Sequence, residues 1–198
     1  MRETEAGSTS RLMRKVIQSL TIYNDLARNG ESAKYSPGEL RQRIADDRDS
    51  VIVAVRGDKI VGFCVNRKDD GTLLIEWYGV HADCRGQGVG RRLVERIVAS
   101  APRRGCHKVW CDCNTQSTAS KTLLRAMGFH AAATLLNHWY GHDFTLWERP
   151  VAKTGSHAPV HAGTHVTAGH FANRFATGSS SRPGLRAARP QSATRRWR

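Results

Sequence analysis

The chain has 198 residues, of which 31 are Lys or Arg, 17 are Asp or Glu and 39% are hydrophobic. This length suits one domain of ordinary size with some excess. No run approaches the roughly 18 to 20 consecutive apolar residues of a membrane span, and the N-terminus lacks the apolar region of a secretory signal, so we expect neither a membrane protein nor a secreted one.

The first predicted elements are helices. Apolar residues recur at helical spacing over residues 10–29, and Asn29-Gly30 would end that helix. Ser36 is a good N-cap and Pro37 suits the first helical position, so a second, short helix should run to about residue 45. Residues 1–9 are predicted to be a flexible N-terminus.

Strands follow the two predicted helices. The β-branched runs Val51–Val55 and Ile60–Asn66 flank Gly57-Asp58 and predict a hairpin, and Leu73–Val80 is a third strand. Beyond these, we predict a helix over Gly88–Ser100, a strand over Lys108–Cys113, a helix over Thr118–Met127, and strands over about Ala133–Tyr140 and Asp143–Arg149. This order predicts an α/β fold in which helices flank a central mixed sheet.

The last segment, residues 151–198, has a different composition. It contains eight of the 31 basic residues and no acidic one, and it lacks apolar periodicity, so we predict a disordered basic tail. Weak contact with polyanions would follow from its charge alone. Four histidines stand nearly four residues apart, but Pro159 and Gly163 disfavour a helix that would align them, and we predict no metal site. The histidines are His157, His161, His165 and His170.

The five cysteines do not form a disulfide pattern. Their number is odd, and Cys111 and Cys113 are separated by one residue. We therefore predict free thiols that pack as small hydrophobic groups, in a reduced, cytoplasmic compartment.

A glycine-rich loop carries the strongest functional signal. The segment Arg85-Gly86-Gln87-Gly88-Val89-Gly90 lies between a predicted strand and a predicted helix. Glycines let backbone N–H groups approach an anion, and the start of a helix attracts negative charge, so the loop suits a phosphate or pyrophosphate. It is not a Walker loop, because Arg91-Arg92 replace Lys-Ser/Thr, and Arg91 also excludes the dinucleotide fingerprint.

Two motifs resemble those of the GNAT superfamily of N-acyltransferases. The stretch from Tyr78 to Leu93 is similar to the acyl-CoA motif R/Q-x-x-G-x-G/A, which Arg85, Gly88 and Gly90 match. The stretch from Ser120 to Phe129 looks like the family's helix that ends in Gly-Phe.

The resemblance covers about residues 10–149. It implies a GNAT-like N-acetyltransferase domain over 10–150, with acetyl-CoA as cosubstrate. Such an enzyme transfers the acetyl group to a primary amine by direct attack, and the amine-bearing acceptor stays open. The rival hypothesis is a non-catalytic module that binds CoA, or that binds nucleic acid or an acidic partner through the tail. The protein could be a monomer or a homodimer.

The resemblance also implies which residues contact the cofactor. Backbone groups around Tyr78 and Val80 would hold the pantetheine arm, in a slot where strand 108–113 diverges from strand 73–80. Loop amides would hold the pyrophosphate, with two arginine side chains near the phosphates, and Asn114 could touch the cofactor. The predicted cofactor-binding residues are Tyr78, Val80, Arg85, Gly86, Gln87, Gly88, Val89, Gly90, Arg91 and Asn114.

The catalytic residues are predicted from the chemistry of the reaction. An alkylammonium with a pKa near 10.4 is only about 0.04% deprotonated at pH 7, so its proton must be removed. Glu76, on the strand before the loop, is the first candidate, and His81, just after that strand, is the second.

The leaving group and the acceptor pocket are less well defined by the sequence. Leu124 occupies the position of a tyrosine that protonates the leaving thiolate in the family, and Ser117, Ser120 or Cys113 could substitute for it. Trp139 or Tyr140 could line the acceptor pocket.

Overall fold

A computed structural model describes residues 1–151 of the chain, apart from the side chain of Glu3. The predictions for the tail, namely its disorder, its contact with polyanions and its histidine spacing, lie outside the described residues. The helices of the described part, besides short 3-10 turns, are α1 (Ala6–Gln18), α2 (Asp25–Ala33), α3 (Pro37–Asp46), α4 (Val89–Ser100) and α5 (Thr118–Ala126).

The single helix predicted over residues 10–29 is wrong, because the structure has two helices there, α1 and α2. Helix α1 ends at Gln18, and α2 begins after Asn24. Asn24 has an extended backbone, and its side chain caps the N-terminus of α2. Asn24 Oδ1 accepts a hydrogen bond of 2.8 Å from the backbone N–H of Ala27. Periodicity alone did not show this break, since the apolar residues continue across it.

Residues 1–9, predicted to be flexible, are folded in the structure. Helix α1 begins at Ala6, and both Ala6 and Thr9 are buried. The α-amino group of Met1 donates a hydrogen bond of 3.2 Å to the carbonyl of Val51. The N-terminus is therefore part of the domain's packing.

The strands are β1 (Val51–Arg56), β2 (Lys59–Asp69), β3 (Thr72–Val80), β4 (Lys108–Asn114), β5 (His130–Trp139) and β6 (His142–Pro150). They form one sheet in the order β1-β2-β3-β4-β6-β5, in which β3 and β4 are parallel and the other neighbours are antiparallel. The predicted α/β fold with a mixed sheet and flanking helices is confirmed.

The sheet has a hydrophobic core on each face. One core contains the apolar side chains of α4 and α5, and the other contains those of α1 and α3. Helix α4 places Leu93, Val94 and Ile97 in the first core because they recur at helical spacing. No helix within residues 1–151 is long and apolar enough to cross a membrane.

Candidate functional site

An open slot lies between the two parallel strands at the middle of the sheet. Strands β3 and β4 pair only from Thr72 opposite Lys108 to Leu74 opposite Trp110. Beyond that point β3 continues to Val80 and β4 to Asn114 without pairing to each other. The divergence predicted for these strands is present, and it exposes backbone edges along the slot.

A β-bulge marks the start of the divergence. Val65 of β2 pairs with Trp77, whereas the next residue, Asn66, pairs with Ile75, so Glu76 is left out of the ladder. A bulge bends its strand and increases the local twist. It therefore helps to turn the end of β3 away from β4.

The glycine-rich loop joins the end of β3 to α4. Gly86 and Gly88 have φ values of +71° and +74°, which other residues rarely adopt, and nothing lies within 4 Å of a Cβ built at either. Gly88 is the N-cap of α4 and brings no side chain to cap the helix, whose first turn contains no acidic residue. The first amides of α4 therefore lack a side-chain cap, an arrangement that suits an anion.

The side chains of the loop hold its shape. Gln87 accepts a hydrogen bond of 2.6 Å from Arg56 and donates one of 2.9 Å to the carbonyl of Asp83. Arg85 Nε lies 3.3 Å from the carbonyl oxygen of Val80, to which it donates. Arg85 and Arg91 are both exposed, and Arg91 Nε lies 2.7 Å from Glu95 Oε1.

The first catalytic candidate, Glu76, is held by two arginines. Its carboxylate oxygens lie 2.7 Å from Arg43 Nη1 and 3.0 Å from Arg67 Nε, and its side chain is 15% exposed. Each oxygen of the Glu76 carboxylate is therefore paired with a guanidinium group.

The second catalytic candidate, His81, lies at the start of a short 3-10 turn. Its Nδ1 accepts a hydrogen bond of 3.3 Å from the backbone N–H of Asp83, and its Nε2 lies 3.4 Å from Lys15 Nζ. Glu76 and His81 therefore contact different groups, and the structure does not join them in one site.

A carboxylate that the sequence analysis missed lies beside the slot. Asp112 is on β4, two residues beyond the last pair with β3, and its Oδ2 accepts a hydrogen bond of 2.8 Å from Trp139 Nε1. His138 Nε2 lies 3.7 Å from the same oxygen. Burial raises the pKa of Asp112, although the Trp139 hydrogen bond opposes this, and the side chain keeps 23% exposure. A carboxylate that binds protons more readily is a better base, and this one is accessible.

One signal in the sequence pointed to Asp112. It is the only charged residue between Trp110 and Asn114, and its neighbours Cys111 and Cys113 are buried on the α4 and α5 side of the sheet. Since side chains alternate along a strand, the alternation places Asp112 on the other face.

Aromatic side chains surround Asp112 on that face. Tyr23, from the segment between α1 and α2, lies 6.2 Å from the ring of Trp77 and 6.2 Å from that of Phe144, measured between centroids. Gly30 of α2 lies so close to Tyr140 that a Cβ there would be 2.3 Å from the tyrosine hydroxyl oxygen. Helix α2 and the β5–β6 hairpin therefore pack against each other beside the slot.

Several other predicted residues are placed by the structure. Leu124 is fully buried in the core. The hydroxyl of Tyr78 is buried, close to the side chain of Ser120. Burial raises the pKa of Tyr78, which keeps the phenol protonated. Asn114 is buried, and its Oδ1 accepts a hydrogen bond of 2.9 Å from the backbone N–H of Gln116. In residues 1–151 no group of three His, Cys, Asp or Glu side chains could hold a metal ion.

Comparison with known proteins gives matches that include the glycine-rich loop and the slot. The family model described as Acetyltransferase (GNAT) family matches residues 10–129. An acetyltransferase of Pectobacterium atrosepticum is 30% identical over 71 residues, which are 36% of this chain and 50% of that protein. The chain thus spans about half the length of the curated relatives it matches.

Solved structures share the fold. A ribosomal-protein-alanine N-acetyltransferase from Brucella melitensis superposes with a TM-score of 0.62 at 19% identity, covering 76% of this chain and 97% of that one. The PaiA N-acetyltransferase from Thermoplasma acidophilum, solved in complex with coenzyme A, gives a TM-score of 0.65 at 11% identity, covering 76% and 96%.

Proposed function

Because the chain belongs to the acetyltransferase (GNAT) family, we propose that it transfers an acetyl group from acetyl-CoA to a primary amine. The observation that carries this proposal is the loop at Arg85–Gly90, which brings glycine amides and the N-terminus of α4 to the mouth of the β3–β4 slot. An anion-binding loop beside a strand edge suits a cofactor with a pyrophosphate and an extended, amide-bearing arm.

The proposed cofactor contacts follow the slot. The pyrophosphate binds the backbone amides from Gly86 to Gly90, and Arg85 and Arg91 add positive charge. The pantetheine amides bind the backbone near Tyr78 and Val80. A contact between Asn114 and the cofactor is also proposed, although the turn at Gln116 already uses its side-chain oxygen.

The reaction needs no covalent enzyme intermediate. The amine nitrogen attacks the thioester carbonyl carbon, the new C–N bond forms, and the C–S bond breaks with its electron pair moving to sulfur. The nitrogen loses a proton and the released thiolate gains one, so the protons balance. A thiol with a pKa near 8.5 is a good leaving group, so the absence of a tyrosine at Leu124 does not prevent the step.

We propose Asp112 as the group that accepts the amine's proton. Its carboxylate lies beside the slot, is partly exposed and has a raised pKa. Glu76 and His81 are the alternatives. Both carboxylate oxygens of Glu76 are already paired with arginines, and His81 lies beyond the end of β3.

The test measures binding and turnover separately. Acetyl-CoA is expected to raise the melting temperature, and free CoA is expected to appear when a panel of primary amines is added. The second candidate, a non-catalytic CoA-binding module, is favoured by Leu124. It predicts the same rise in melting temperature with no release of CoA for any amine.

A further inference from the structure

A lysine ammonium lies against a carboxylate and two aromatic rings where helix α2 meets the β5–β6 hairpin. Lys34 Nζ lies 2.6 Å from Glu31 Oε1, 5.6 Å from the centroid of the Trp139 ring and 6.0 Å from that of Tyr140. We call Glu31, Trp139 and Tyr140 the cation corner. A carboxylate together with aromatic faces is a combination that binds alkylammonium groups. The side chain of Lys34 is 48% exposed, so it is accessible from solvent.

Hydrogen bonds connect the cation corner to both strands that border the slot. Glu31 Oε2 accepts a hydrogen bond of 2.8 Å from Trp77 Nε1, on the diverging part of β3. Trp139, whose ring faces Lys34, donates to Asp112 on β4. The indole groups thus fix the two carboxylates, and Trp139 is shared between the corner and Asp112. Glu31 is only 14% exposed, so its charge is poorly screened by water.

The two carboxylates, Glu31 and Asp112, can each pair with a cation. Glu31 and Asp112 are close enough for the charge of Glu31 to contribute to the raised pKa of Asp112. Lys34 is the lysine seen paired with Glu31, and His138 is the group near Asp112. In an acceptor with two amino groups, one group could therefore lie at Asp112 and the other at Glu31.

We propose that the cation corner is a subsite for a second positive charge on the acceptor, and that the Lys34 ammonium occupies this subsite when no acceptor is bound. The inference rests on the proposed acetyl transfer. It assigns the substrate class as amines that carry another ammonium group a few carbon atoms from the reacting one. The reacting amine lies at Asp112, and the second ammonium replaces that of Lys34 on Glu31.

Three amines of similar length test the subsite: 1,4-diaminobutane, 1-aminobutane and 4-aminobutanoate. We expect kcat/KM for the diamine to exceed that for 1-aminobutane by about tenfold or more, beyond the factor of two that its second amine supplies. 4-Aminobutanoate should lack this preference, because its carboxylate cannot replace the Lys34 ammonium on Glu31.

Three variants identify the residues. Glu31→Gln removes the charge but keeps an acceptor for Trp77 Nε1, so the preference for the diamine should fall toward twofold. Asp58→Asn neutralises an exposed carboxylate in the turn between β1 and β2 and should keep the preference. Lys34→Met removes the competing ammonium and should lower KM for the diamine several-fold, with KM for acetyl-CoA unchanged.

The outcomes separate this inference from the proposed function. Equal kcat/KM for the diamine and 1-aminobutane, or a preference that persists in Glu31→Gln, overturns the subsite while acetyl transfer stands. If no amine is acetylated, the proposed function fails. Calorimetric titration with 1,4-diaminobutane then decides about the subsite, because the subsite requires binding that Glu31→Gln weakens, and the absence of such binding overturns it.

Discussion

Trp139 and Asp112 are joined by a hydrogen bond of 2.8 Å from the indole Nε1 to Oδ2, although they are 27 residues apart in sequence. Trp139 is the last residue of the edge strand β5, and Asp112 lies where β4 leaves its pairing with β3. The bond therefore fixes a carboxylate at the edge of the slot in one orientation. A base that is already oriented loses less entropy when the substrate binds.

The first prediction concerns Asp112→Asn. Asparagine keeps an oxygen that can accept from Trp139, but it cannot take a proton from the amine. We expect turnover at pH 7 to fall about 10²–10⁴-fold with little change in acetyl-CoA affinity. In the parent, activity should decline as pH falls through the raised pKa of Asp112, at a higher pH than for an ordinary aspartate. Initial rates across pH measure both effects.

The stability of this variant provides a control. A carboxyl group whose pKa is higher in the folded state than in the unfolded state destabilises the fold as pH rises from the unfolded pKa through the folded one. Asp112→Asn removes that cost, so its melting temperature at pH 7 should equal or exceed that of the parent. Unchanged turnover in Asp112→Asn, with a loss in Glu76→Gln or His81→Ala, would assign the proton transfer to one of those residues.

The second prediction concerns Glu76→Gln. Its carboxylate lies between Arg43 and Arg67 and is largely buried, so loss of the charge should lower the free energy of unfolding by about 1–3 kcal/mol. Urea denaturation measures the change. Glu39→Gln is the matched control, since Glu39 pairs with the same Arg43 but is 47% exposed, and it should cost less than about 1 kcal/mol. Equal losses in the two variants would contradict the argument from burial.

The third prediction tests the glycine-rich loop. Gly88→Asp places a side chain and a negative charge beside the first amides of α4, so acetyl-CoA should no longer raise the melting temperature. Gly57→Asp is the matched control, because Gly57 also has a positive φ, of 54°, and open space around it, but lies in the β1–β2 turn. It should keep the full shift. A shift that persists in Gly88→Asp would show that the pyrophosphate binds elsewhere.

The sequence predicted the features that depend on neighbouring residues. The N-cap at Ser36, whose side chain accepts from the N–H of Glu39, is such a local signal. The glycine loop is another. All six strands were predicted, although β2 extends to Asp69 and β5 begins at His130, each three residues beyond the predicted bound. Even the mixed sheet followed from the order of the elements.

The features that were missed depend on contacts between distant parts of the chain. Helix α1 ends at Gln18, and Asn24 begins α2 while also bonding the carbonyl of Tyr140, 116 residues away. The importance of Asp112 depends on Trp139 and on where β3 and β4 stop pairing, which no local pattern encodes. The arginines that hold Glu76 come from α3 and β2. The sequence presented Glu76 as a candidate base, whereas the structure places it in a cluster of ion pairs.

The fourth prediction concerns the removal of residues 152–198. The described fold ends with β6 at Pro150 and with Val151, whose N–H donates a hydrogen bond of 2.9 Å to the carbonyl of His107. Val151 also packs against the core, so the truncation must keep it. We expect the melting temperature and the shift caused by acetyl-CoA to stay unchanged, because the removed sequence has no apolar periodicity with which to stabilise the sheet.

The same truncation tests the basic charge. The removed residues contain eight Lys or Arg and no Asp or Glu, so they carry most of the net charge of +14 and leave +6 on residues 1–151. Binding of the full chain to a single-stranded DNA oligonucleotide should fall steeply between about 50 and 200 mM salt, because the attraction comes from counterion release. The truncated chain should show little binding at either salt concentration. Equal binding by both chains would place the polyanion contact on the domain, and a large loss of thermal stability in the truncated chain would show that the domain extends beyond residue 151.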